Sequence, residues 1–392
     1  MDVLISGAGI AGPNLAWWLA QDGHKVTIVE KADAPRTGGY IIDFWGKGYD
    51  LAERMGLLPR LLEAGYQVKE VRLVDGKGRR VAGISGKAFQ SVTDGRFTSL
   101  PRGELSLALV DAVKDRAELR FGDGIAGISR DGDGVDVTFE RAPPQRFDLI
   151  IGAEGIHSRT RDLVFGPRER FERYLAYQFA AWIMPGYPHR DPDIYAAYGE
   201  PKRTAARFAL RDESSLALFI WTDAEGTPIP HGEAAQRALL RERFAGMGWE
   251  APEMLAGLEQ ARDLYIDRIS QIRMDRWHGG RVGLVGDAAF APSFLAGQGA
   301  ALAMIGGYVL AGELKQANGN CEAALAAYHA RLAEFMRGKQ DAAVPVGRAF
   351  VPETELGLKF RALVAGLMNI GWIARASFGR SLTDQVELPD YA

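Results

Sequence analysis

Cysteine is almost missing. The 392-residue chain holds Cys321 alone, which excludes an internal disulfide and any cysteine-based metal cluster, and suits a reducing cytoplasm. Histidine is scarce too, with 6 residues scattered without metal-ligand spacing, so no metal is expected. Neither sign of charge dominates: a formal net charge of -3 gives no general attraction to nucleic acid or to an anionic membrane. Long hydrophobic runs are also lacking. The most apolar stretch, Ala300–Leu310, is interrupted by Gly306-Gly307 and is too short to cross a bilayer, so it reads as a buried helix whose small residues allow close packing. Residues 1–20 resemble an apolar leader, but Asp2 and a glycine turn within them mark the start of a fold. There is no repeat of fixed period and no low-complexity tract.

What remains is an ordinary globular composition, 47% hydrophobic and 25% charged, long enough for two sizeable cores. Val3-Leu4-Ile5-Ser6 reads as a short buried strand, Gly7-Ala8-Gly9-Ile10-Ala11-Gly12 as a GxGxxG turn, and Leu15–Gln21 as the helix it opens. Lys25–Val29 is the next strand and ends at Glu30, an acid about twenty residues beyond the glycines, where an adenosine ribose is expected. Gly7, Gly9 and Gly12 leave the backbone N–H groups at the helix start open to a pyrophosphate. This unit alone does not choose between NAD and FAD.

The choice falls to Gly283–Gly299, GLVGDAAFAPSFLAGQG. A strand delivers Gly286-Asp287, and after Pro292 a second glycine turn, Gly297-Gln298-Gly299, opens an Ala-rich helix. Asp287 suits the hydroxyls of a ribityl chain, and the positive N-terminus of that helix suits a reduced flavin ring. Two glycine turns far apart in sequence fit one long cofactor with two polar ends.

Over nearly its whole length the chain resembles the class A flavoprotein monooxygenases, the group of p-hydroxybenzoate hydroxylase. The dinucleotide turn is followed by Gly152-Ala153-Glu154-Gly155-Ile156-His157-Ser158-Arg159-Thr160-Arg161, matching the family's DG motif, and then by Gly283–Gly299 as its GD motif. Leu100-Pro101-Arg102-Gly103-Glu104-Leu105 matches the family's arginine at a helix start. Ile266–Ile272, Pro292–Gln298 and the closing Glu387–Tyr391 look most like the tetracycline destructases and neighbouring polyketide hydroxylases.

The resemblance implies an α/β fold: a Rossmann-like FAD-binding domain of the glutathione reductase type, an inserted β-sheet substrate domain and a C-terminal helical region. It implies FAD as cofactor, NADPH or NADH as transient co-substrate, and O2, with oxygen carried to an aromatic, polyketide or tetracycline-like substrate as a hydroperoxide on the flavin. Arg36 and Arg102 would then flank the cofactor. No side chain is assigned as a catalytic base. Four departures from the family pattern stand out: Glu154 for Asp, Phe290 for His, Ser293-Phe294 for Pro-Pro, and Ala301 for Asn.

The expected boundaries are 1–172 and 262–320 for the FAD-binding domain, 173–261 for the substrate domain and 321–392 for the helical region. Phe179–Met184, Thr204–Leu210 and Leu216–Trp221 read as aromatic strands of a substrate floor. Trp182, Met184, Phe208 and Phe219 are candidates for that floor, and Tyr40, Trp45 and Phe294 are candidates by resemblance. Two other functions share these motifs: an FAD-dependent reductase or dehydrogenase that avoids oxygen, and a non-catalytic flavin- or ligand-binding protein.

Overall fold

The computed structural model describes residues 1–35, 38, 40–370 and 386–391. Its first sheet has six strands in the order His278–Gly279, Val282–Leu284, Leu149–Gly152, Asp2–Ser6, Lys25–Glu30 and Glu118–Phe121, parallel apart from the first. Near-continuous apolar runs such as Val3–Ile5 and Leu149–Ile151 suit strands covered on both faces. Val3, Ile5 and Ile151 face the helices, while Leu4, Val29 and Ile150 face a three-stranded antiparallel meander across residues 125–147.

Helix Ala11–Gln21 lies against the long helix Gly299–Gln316. They approach closely because Gly307 has no side chain: a Cβ there would strike the Asn14 amide and lie 3.2 Å from the Leu15 backbone nitrogen. Asn14 Nδ2 donates to Met304 O at 3.0 Å and fixes the crossing. The C-terminal Tyr391 ring fills the space left by Gly312, and its hydroxyl donates to Glu313 Oε1 at 2.6 Å.

The second sheet has seven strands in the order Arg262–Ile272, Glu172–Met184, Ser215–Thr222, Arg203–Ala209, Ile194–Glu200, Glu70–Val74 and Arg80–Ser85. It therefore reaches beyond the expected 173–261 on both sides. Arg262–Ile272 pairs antiparallel with Glu172–Met184, and the hairpin of Glu70–Val74 and Arg80–Ser85 adds to Ile194–Glu200 in parallel. Each addition pairs a strand edge that would otherwise stand open. Helices Glu233–Arg243 and Ala251–Ala256 cover one face, and helix Glu355–Leu367 lies over the opposite face at the hairpin end.

Asp123 joins the first sheet to the meander. It is 6% exposed, and its carboxylate accepts the N–H groups of Gly124, Arg141 and Ala142 at 2.9, 2.9 and 3.0 Å. Burial alone would raise its pKa, but these donors outweigh burial and hold the carboxyl below its ordinary range. A carboxyl depressed in the folded state stabilises above its unfolded pKa, and that contribution disappears as pH falls through the folded value. Asp123→Asn should therefore cost about 1–3 kcal/mol at neutral pH. The deficit should shrink below about pH 4. Urea melts at the two pH values check this, and an equal deficit at both would remove the charge from the explanation.

Candidate cofactor and substrate cleft

A cleft of about 1780 Å³ runs from the C-terminal ends of the parallel strands to the open face of the second sheet. Pockets for one small ligand usually hold roughly 300–1,000 Å³, so this one has room for two. At its first end the three glycines of the opening turn do different work. Gly7 takes φ of +110°, and a Cβ on it would run into Ala153 O; a Cβ on Gly12 would collide with Gly7 O. These two allow close packing. Gly9 is the open one, since a Cβ there would meet nothing within 4 Å. Helix Ala11–Gln21 has neither a side-chain cap nor an acid in its first turn, so its leading N–H groups are available to an anion. Glu30 lines the same end and accepts the N–H groups of Ala8 and Ala32, both at 2.9 Å.

Midway along the cleft, Gly286 at φ of +65° delivers Asp287 to the wall beside Gly299. Burial raises the Asp287 pKa, with Arg102 acting against it. Arg102, Pro292, Gly297 and Gly299 share this part of the wall. Helix Gly299–Gln316 again begins without a side-chain cap. The Gln298 side chain is instead buried within the protein, where Lys339 Nζ donates to its Oε1 at 2.9 Å. Arg36 lies outside the described residues. The open Gly9, the two uncapped helix starts and the wall acids Glu30 and Asp287 together fit a dinucleotide whose far end carries a ring.

The departures from the family pattern have local causes. Glu154 turns its carboxylate onto Ser158 Oγ and the Thr160 hydroxyl and N–H, so the longer acid reaches the start of helix Arg159–Val164. Arg161, fully buried, donates to Ile156 O at 2.7 Å and Ala288 O at 3.2 Å, bolting the second motif to the third. Phe290 packs on Trp277 in the core at 4.7 Å between ring centres. Ala301 is small enough for Gly48 to press against it. Ser293 holds φ of +94° and carries the chain into Phe294, which stacks on Phe179 at 4.4 Å with Tyr40 edge-on at 5.3 Å.

The second sheet corrects most of the substrate candidates. Trp182, Met184 and Phe219 are directed to the face covered by Leu240, Phe244 and Met254, because side chains alternate along a strand. Their neighbours Phe179, Leu218 and Ile220 face the cleft instead. Phe208 shares the cleft face but is sealed under Tyr66, Tyr195 and Leu216. Trp45 is buried behind Gly297 and packs near Phe97 rather than lining the space. Of the candidates, Tyr40 and Phe294 border the cleft.

Sequence reasoning missed Phe179, Asp43, Tyr265 and Asp267. Asp43 lines the cleft with its pKa raised by burial, against a hydrogen bond from Ser99 Oγ. Asp267 Oδ2 accepts from the Tyr265 hydroxyl at 2.6 Å and lies 3.3 Å from His157 Nε2, whose Nδ1 faces Arg168 Nη1 at 2.5 Å. Because Arg168 can only donate, Nδ1 accepts and the proton sits on Nε2. Burial pushes the Asp267 pKa up, yet the bonds from His157 and Tyr265 outweigh it and leave the carboxyl below its ordinary range. For Asp43 the signal available was an acid inside the otherwise apolar strand Ile41–Trp45; Asp267 shares its strand with Asp263, Arg268 and Gln271, and nothing in the residue order singles it out.

Comparison with known proteins agrees with this geometry. The family model described as FAD binding domain matches residues 1–342. A flavin-dependent monooxygenase from an unknown prokaryotic organism is 32% identical over 389 residues, 99% of this chain and 98% of that one. An uncharacterized protein of Mycobacterium tuberculosis is 38% identical over 342 residues, 86% of this chain and 91% of its own. The crystal structure of tetracycline destructase Tet(55) superposes with a TM-score of 0.84 at 30% identity, covering 99% of this chain and 98% of that one. A fold built around a dinucleotide cradle and a matching family over most of the chain lead to one conclusion: the protein belongs to the FAD binding domain family and is a class A flavin-dependent monooxygenase.

Proposed function

We propose that this monooxygenase uses NADPH or NADH and O2 to hydroxylate a planar aromatic or polyketide substrate held beside the Phe179–Phe294 stack on the open face of the second sheet. The observation that carries the reading is continuity, since the glycine cradle and the aromatic chamber are two ends of one cleft of about 1780 Å³. Likeness to a tetracycline destructase supports a multi-ring substrate. Bound flavin supplies hydride acceptance and oxygen activation; this chain's residues do the rest. Gly9 and the N–H groups behind it receive the pyrophosphate, Glu30 the ribose, and Asp287 with Arg102 the middle of the cofactor. Phe179, Phe294 and Tyr40 orient a flat ring and keep water away from it. Among the described residues only the GxGxxG turn at Gly7–Gly12 leads from a parallel strand into a helix, since the same spacing at Gly122–Gly127 runs into the strand Ile125–Asp131, which supports transient rather than permanent binding of the nicotinamide cofactor.

Gly9→Val tests the cradle, because its side chain would enter space that the protein itself does not use. The apoprotein should melt within a few degrees of wild type, while FAD affinity falls roughly tenfold or more. Gly12→Val is the contrast: it should lose the fold itself, since its Cβ collides with Gly7 O. Asp287→Ala removes a half-buried acid whose charge desolvation disfavours, so FAD affinity should drop while the apoprotein is no less stable. Wild-type FAD retention in both Gly9→Val and Asp287→Ala, read by absorbance and calorimetry, would overturn the assignment.

The activity has its own readout. Oxygen-dependent NAD(P)H consumption should accelerate when a polycyclic phenol is added, with product gaining one oxygen atom by mass. Consumption that no aromatic or polyketide compound speeds up, or turnover that proceeds with another acceptor in the absence of oxygen, would count against hydroxylation.

A further inference from the structure

The far end of the chamber holds a cation without an acid. Arg361 projects from helix Glu355–Leu367 into the cleft, over the sheet at Gly199 and Thr204. Gly199 makes this possible, because a Cβ there would collide with Nη2 of the guanidinium. Nη1 donates to Phe350 O at 3.0 Å and approaches Thr204 Oγ1 at 3.5 Å, while the buried Nε has no partner. Among the described residues no carboxylate forms an ion pair with Arg361. Burial accordingly pulls its pKa down to about 10, the reverse of Arg207, which Glu250 and Asp191 hold above the ordinary value despite burial.

The acids of the chamber are occupied elsewhere. Asp267 is held by Tyr265, His157 and the Arg268 N–H, and Asp43 by Ser99. Glu353 also lines the cleft but makes no ion pair with Arg361, whose pKa is shifted by burial alone. An arginine partly desolvated, paired with neutral groups and facing an apolar cavity gains most from an anionic oxygen.

Sheet register sets the distance from this cation to the aromatic cluster. Thr204 pairs with Ile220, and Ile220 with Phe179, so two strand spacings, roughly 10 Å, separate the arginine's contact from the Phe179–Phe294 stack. That is farther than one six-membered ring reaches. We propose that Arg361 is the anion anchor of the substrate chamber, binding a carboxylate or an ionised enol or phenol oxygen at the distal end of an elongated, planar polycyclic substrate. It thereby selects acidic over neutral compounds of the same shape. The proposal rests on the hydroxylase reading for what happens at the near end, but its test needs neither NAD(P)H nor oxygen.

The FAD-loaded enzyme would be titrated with 2-naphthoate, anthracene-2-carboxylate and anthraquinone-2-carboxylate, each beside its methyl ester, and binding followed by flavin absorbance and calorimetry. On wild type at least one acid should bind about tenfold or more tighter than its ester. Arg361→Met should bring that ratio close to one with ester affinity unchanged, and Arg361→Lys should keep part of the preference. A merely structural arginine would weaken acid and ester alike. If Arg361→Met fails to fold, wild type and Arg361→Lys still decide the matter. Failure of every acid to bind, equal binding of acid and ester by wild type, or an acid preference that survives in Arg361→Met would each overturn the proposal. Slow hydroxylation with intact acid selectivity would instead count against the reaction assignment alone.

Discussion

Three backbone turns meet around one cleft only because nothing projects between them. Gly7 sits against Ala153 O, Gly12 against Gly7 O, and Gly286 so near Ala11 that an added Cβ would lie 2.9 Å from its side chain. The contacts at Gly7 and Gly286 join different motifs, so one methyl group at either separates segments that have to act together, while one at Gly12 would open the first turn itself. Arg161 then fastens the assembly with bonds to Ile156 O and Ala288 O. It is a buried cation held by two carbonyls, its Nε without a partner, and removing it would leave both acceptors unpaired.

The chamber depends on a different device, an asymmetry of side-chain size across the second sheet. On the covered face Trp182, Phe219 and Trp221 fill the space beneath Phe244 and Leu240. On the open face Leu218 and Ile220 alternate with Phe219 and Trp221, and the neighbouring strands present Ala197 and Ala206 to the cleft. Small residues opposite large ones leave a hollow on one side of a sheet that is fully packed on the other. The aromatic strands therefore build the chamber chiefly from behind, by holding the sheet rigid, and Phe179 is the member that enters it.

The same contrast explains what could be read from residue order. The dinucleotide turn, its helix and Glu30 fall within one local unit of strand, turn and helix, so their spacing fixes their geometry. Period-two alternation says which residues of a strand share a face but not which face is covered, and helices Glu233–Arg243 and Ala251–Ala256, distant in sequence, decide that. Trp182, Met184 and Phe219 were misplaced for this reason. The hairpin at residues 70–85 was missed for a related one: its partner strand Ile194–Glu200 lies more than a hundred residues away, and nothing local marks the pairing. Glu154 and Phe290, departures at the level of motif, become ordinary once Ser158, Thr160 and Trp277 are seen beside them.

Cofactor and substrate ends thus rest on different chemistry. The first is made largely of backbone N–H groups and missing Cβ atoms, which tolerate little change because any substitution adds atoms. The second is made of side chains on a rigid sheet and on a helix above it, where exchange of one residue alters shape or charge without moving the frame. Tyr40 is where the two meet: its backbone oxygen accepts the Arg102 N–H, its ring lies edge-on to Phe294, and its hydroxyl is influenced by Arg102, Asp287 and Asp267. A change at Tyr40 would be felt at both ends, whereas one at Arg361 or Ala206 stays within the chamber. Substrate scope in this architecture can therefore shift while the flavin cradle remains fixed, which is why fold and cofactor follow from the glycine turns and the substrate has to be argued from the open face of the sheet.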